Sequence, residues 1–143
     1  MAEILIPVDG ELAVIAELSA TLPAHGHPNL TEPQGTVGTK IPTTSTKPRE
    51  FVRVTTTGGA RRDLVTDSHT LVVEAYATRE GDARDLCALA VGLLEAAGRA
   101  GALGGRTCYR VSASVPVNLP HPSVPTHFRY RSTISADLRR SAV

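Results

Sequence analysis

Tryptophan is absent from this 143-residue chain, and only two phenylalanines and three tyrosines stand in for it. Each buried aromatic side chain removes about 150–250 Å² from water. Their scarcity leaves Val, Leu, Ile and Ala to build the core. A domain of this length buries roughly 68% of its unfolded surface, so an independent core is feasible but modest. Contacts within an oligomer would add to it. The length fits one domain, 1–143, and leaves no room for two comfortable ones.

Cysteine is nearly as rare. Cys87 and Cys108 have no metal or redox spacing, which excludes a disulfide scaffold and fits a reducing compartment. Long apolar runs are missing too. The longest, "CALAVGLL" at 87–94, is too short to cross a bilayer. The opening "MAEILIPVDGE" carries an acid at position 3 and no basic stretch, unlike a secretory signal. The expectation is a soluble intracellular protein.

Catalytic signatures are also lacking. No Gly-x-Ser-x-Gly, His-Glu-x-x-His or paired-carboxylate pattern occurs. Cys87 lies on an apolar stripe and reads as a small buried hydrophobe. His25 and His27 lie within reach of one another but lack a third ligand nearby, so no metal site is assigned. Asp82 and Asp85 suit the first turn of a helix better than an acid–base pair. No catalytic residue, cofactor or metal is expected, and the chain does not read as an enzyme.

Charge and proline, by contrast, are unevenly spread. Residues 99–143 hold seven arginines against the single acid Asp137, while residues 1–98 carry a net charge of −5. Such polarity suits stacking of unlike faces. Nine of the ten prolines fall in 23–48 and 116–125. The first segment has no helical or strand period and reads, over 23–49, as a long extended arm or loop, ordered only against a partner.

Around these loops the elements are legible. Asp9 is a candidate N-cap for a helix over 9–22 whose stripe is Leu12, Ile15, Ala16, Leu18 and Leu22. Strands are expected at 51–57, 69–78, 106–115 and 126–139. A second helix, 82–99, places Ala83, Leu86, Cys87, Ala90, Leu93, Leu94 and Ala97 on one face. The predicted fold is α+β: an antiparallel or mixed four-stranded sheet with two helices packed on one face, plus the arm.

The stretch "VRVTTTGGARRDLVTD" (52–67) could be a phosphate cradle or a hairpin. Phosphate loops join a strand to a helix, whereas this stretch joins two strands. It is therefore read as a hairpin whose bend is made by Gly58 and Gly59, with Arg61 and Arg62 at the tip. "GRAGALGG" (98–105) follows a helix and precedes a strand, the wrong order for a dinucleotide fingerprint. In "HFRYR" (127–131) strand alternation separates the aromatics from the arginines, so single-strand stacking is not favoured.

Three blocks in order carry a family resemblance: "KIPTTSTKPREFVRVTTTGGARRDLVTDSHTLVVEAYA" (40–77), the alanine-rich helix, and "VNLPHPSVPTHFRYRSTISADLR" (117–139). Together they resemble the tail terminator proteins of long-tailed, siphovirus-type bacteriophages, especially those infecting actinobacteria. The matching positions are Lys40, Pro42, Pro48, Phe51 to Val54, Gly58, Gly59, Leu64 to Asp67, Leu71, Glu74 and Ala75. The chain departs from the pattern in placing Tyr76 one position beyond the usual aromatic.

The resemblance implies a virion protein of the tail or neck, assembled in the host cytoplasm. It would form a homo-hexameric ring that caps the tail tube, stops its growth and meets the head's connector. Its partners would be other copies of itself, the tail tube protein and a head-completion or connector protein. DNA would pass through the lumen without sequence-specific binding, and no membrane is involved. The alternatives are another neck ring such as a stopper, a tail tube protein, or a small ligand-binding α+β domain. Lys40, Lys47, Arg49, Arg61 and Arg62 are the candidate interface residues for an acidic neighbour.

Overall fold

The computed structural model describes residues 3–143. In chain order its elements are β1 (Leu5–Ile6), α1 (Gly10–Thr21), a 3-10 turn (Pro23–His25), β2 (Val37–Gly38), β3 (Glu50–Arg61) and β4 (Thr66–Ala77). There follow α2 (Glu80–Ala100), β5 (Ala102–Leu103), β6 (Arg106–Ala113), β7 (Val117–Asn118), β8 (Phe128–Arg139) and β9 (Ser141–Ala142).

The expected α+β architecture is present, with more strands than periodicity revealed. The sheet runs β2-β3-β4-β8-β6-β5, with β7 beside β8. Four long strands carry it, and the additions are two-residue pieces. Only β2 runs parallel to its neighbour, which makes the sheet mixed. β1 and β9 form a separate two-stranded ribbon.

Both helices lie on one face. Val52 and Val54 of β3, Leu71, Val73 and Ala75 of β4, and Ile134, Ala136 and Leu138 of β8 point into the same core as α1 and α2. Asp9 caps α1 by accepting the Leu12 N–H at 3.0 Å. The apolar stripe of α1 differs from the sequence reading, because Val14 is buried and Leu12 is half exposed. In α2, Leu86, Cys87, Ala90 and Leu94 are fully buried, while Leu93 only packs against the core's margin. Gly98 lets α2 approach β6. A Cβ there would stand 2.8 Å from the Val111 nitrogen.

The hairpin is present, but its glycines are not its bend. Gly58 and Gly59 sit inside β3 with φ of 116° and 144°, at a register shift against β4. They form a bulge, which adds twist to a strand edge. The turn itself is Arg62–Val65, held by Arg62 and Asp63 N–H groups donating to the Thr66 carbonyl.

Residues 23–49 divide in two. The first part is docked. Leu30 and Val37 belong to the main core, Thr36 is buried, and Val52 N–H donates to the Thr36 carbonyl at 2.8 Å. From Thr39 to Arg49 no regular element forms, although Ile41 packs against a small second cluster of Phe51, Tyr76 and Val124.

Candidate assembly surfaces

The face of the sheet opposite the helices is polar and organised in cross-strand rows. Ser68, Asp137 and Arg110 share one row, Thr70, Ser135 and Ser112 the next, and Arg53, Glu74 and Arg131 another. Nearest the arm, Phe51 stacks on Tyr76 with ring centroids 4.4 Å apart. His127 lies against Phe51 and holds the end of the arm, with its Nε2 2.7 Å from the Pro48 carbonyl oxygen.

Acids on this face are buried and paired, as burial of a charge requires. Glu74 meets Arg129 at 2.5 Å and Arg53 at 3.6 Å. Asp137 accepts from Arg62 at 2.8 Å and from Ser68 at 2.6 Å. At the sheet's end Arg140 grips Asp67 with both Nε and Nη2, tying β9 to β4. These pairs escaped the sequence reading. Their one visible signal was an acid, Glu74, within an otherwise apolar strand run.

The five expected interface cations do not form one cluster. Arg61 and Arg62 are exposed at the hairpin turn, whereas Arg49 flanks the other end of β3. A twelve-residue strand separates them, a span of roughly 35–40 Å. Arg61 donates to the Asp63 carbonyl, and Arg62 is committed to Asp137. Arg49 makes only an exposed 3.5 Å pair with Asp82. Lys40 borders an open hollow of about 380 Å³ between α1 and the 32–40 segment, and Lys47 is half buried. The Asp63 carboxyl is held below its usual range, chiefly because it accepts the Val65 N–H.

Exposed apolar side chains gather at the same two ends. Leu64 (75% exposed) crowns the turn, beside the β1–β9 ribbon with Ile4, Ile6 and Val143. Val115, Val117, Leu119 and Phe128 mark the opposite end, where β7 and β8 begin. Clustered apolar groups left in water mark association surfaces.

The thiols offer no reactive group. Burial pushes the Cys87 thiol up to about 12, and desolvation also raises Cys108. Both are protonated near neutral pH and act as core packing. Among the described residues no three His, Cys, Asp or Glu side chains converge for a metal. His27 instead sits 2.7 Å from Glu50. Among the described residues no helix is long and apolar enough to cross a membrane.

No family model matches the chain, and no curated protein does. Among solved structures, the fold is similar to a chain in the virion of a native gene transfer agent particle. The TM-score is 0.60 at 12% identity, over 92% of this chain and 95% of that one. At that identity the likeness is one of fold.

Proposed function

We propose that the chain is a structural protein of a phage-like virion, and within it the tail terminator. The observation that carries this reading is the end-to-end likeness of fold to a chain of a gene transfer agent virion. Nearly the whole of each chain takes part, so the two share one domain plan. The sequence blocks around "FVRVTTTGGARRDLVTD" and "HFRYRSTISADLR" independently favour the terminator over other parts of such a particle.

The assembly proposed is a closed ring of six subunits. Two different exposed apolar ends on one subunit suit a heterologous contact, and a heterologous contact whose rotation closes gives a finite ring. The ring would cap the tail tube on one side and meet the head's connector on the other. No chemistry is assigned to it. Assembly takes place in the host cytoplasm and the product resides in the virion.

Native mass spectrometry tests the ring, with a species of six times the 15.1 kDa subunit mass expected. Open-ended polymers would instead identify a tube protein. Electron microscopy of a knockout lysate tests the role, with overlong tails free of heads expected. Tails of normal, sharply distributed length joined to heads would end the terminator reading.

A further inference from the structure

The helix-free face carries a hollow of about 350 Å³ lined by Arg62, Ser68, Arg110, Ser112, Ser135 and Asp137. Asp137 is already satisfied by Arg62 and Ser68. Arg110 is exposed and, like Arg131 further along the face, has no ion-pair partner among the described residues. Ser112 and Ser135 stand opposite one another across β6 and β8, with Thr70 next in the row. Thr133, one pleat on, is exposed. Uncommitted guanidinium and hydroxyl donors therefore face solvent together. On this face the five arginines 53, 62, 110, 129 and 131 outnumber the acids Glu74 and Asp137.

We infer that this face binds the phosphate backbone of duplex DNA without reading its sequence. Arginine and Ser/Thr hydroxyls are the usual donors to phosphate oxygens, and nucleic-acid interfaces are more polar and more positive than protein interfaces. Protein interface cores are instead enriched in aromatics and depleted in serine. Here the exposed apolar groups Val115, Val117 and Leu119 lie beyond the end of β6 and along β7, away from the Ser112–Ser135 row. Single-strand binding needs a row of exposed aromatic platforms. Here Phe51 and Tyr76 are fully buried, Phe128 stands at the far end of β8, and Tyr109 is a lone exposed ring bonded to Arg139. Base readout needs an element that enters a groove, and a pleated sheet face of short hydroxyls does not reach base edges. The inference does not depend on the ring, because each subunit presents the face.

The test is fluorescence anisotropy of a labelled duplex of about 24 base pairs with the full chain, titrated at several salt concentrations. Binding near physiological salt is expected with Kd of roughly 10⁻⁴–10⁻⁶ M, tightening as salt falls. The double variant Arg110→Ser/Arg131→Ser should lower the log–log salt slope by about 1.8, because two phosphate contacts are removed. Neither arginine holds an ion pair, so thermal unfolding should confirm an intact fold. Arg84→Ser, on the outer side of α2, should bind as the parent does. Absence of duplex binding at low salt, or an equal loss in the Arg84 control, overturns the proposal. So does binding of polyglutamate where duplex fails, which would assign the face to an acidic protein surface.

Discussion

Glu74 is buried within the apolar run Leu71–Ala77 of β4, and two arginines from the flanking strands share its charge. Removing one member of a buried pair leaves the remaining charge uncompensated, at a cost of about 3–5 kcal/mol. Glu74→Ala should lose stability on that scale in urea unfolding. Arg53→Ala should lose much less, because Arg53 is partly solvated, stands further away and leaves Arg129 in place. Similar costs for the two variants would contradict this ranking. In α2, Leu94→Ala should cost roughly 2–5 kcal/mol by lost transfer energy and cavity formation. Leu93→Ala should fall well below that, since Leu93 is only partly buried. The sequence placed both leucines in one stripe. Three- and four-residue spacing identifies a helix face, but it does not say where that face meets its edge.

At the scale of elements, legibility followed contrast. One side of α2 is apolar and the other polar, so its face could be read directly. α1 carries Leu12, Val14, Ile15, Ala16 and Leu18 around much of its circumference, and periodicity chose Leu12 where packing chose Val14. Two-residue strands such as β2 and β5 are too short to show any period. The hairpin was legible, but Gly58–Gly59 looked like its turn because a bulge and a tight turn call for the same residue. Only cross-strand pairing separates the two. Gly58→Ala should cost the backbone strain alone, roughly 1–3 kcal/mol. Gly59→Ala should cost more, since its Cβ would stand 2.2 Å from the Ser68 carbonyl oxygen. The composition of 23–49 suggested one continuous arm, but Leu30 and Val37 were enough to anchor its first part. Hydrogen exchange on the isolated subunit should therefore show protection at the Leu30 and Thr36 amides, which are bonded to His27 and Thr31 carbonyls. Fast exchange should be confined to about 39–47. Uniformly fast exchange from 23 to 49 would mean that the docked half opens freely.

For the whole molecule, the terminator proposal rests on the order of the sequence blocks rather than on any reactive group. The ends that would carry assembly were hidden, because they bring together residues as distant as Leu64, Ile4 and Val143. Of the expected interface cations, Arg61 and Arg62 are adjacent in sequence yet bonded differently. Arg62 neutralises a buried acid, while the exposed Arg61 side chain, among the described residues, bonds only a turn carbonyl. Reversing the charge of a rim residue changes association rate and salt dependence, whereas reversing one that faces a buried carboxylate also strains the fold. On the ring reading, Arg61→Glu should keep the parental thermal midpoint and weaken subunit or tube association most strongly at low salt. Arg62→Glu should lower the midpoint as well, because two carboxylates would then face each other at Asp137. Analytical ultracentrifugation across a salt series, paired with thermal unfolding, separates the two effects. If Arg61→Glu assembles like the parent at every salt concentration, the hairpin tip is not part of the assembly contact, and the apolar end near Val117 and Phe128 becomes the surface to mutate next.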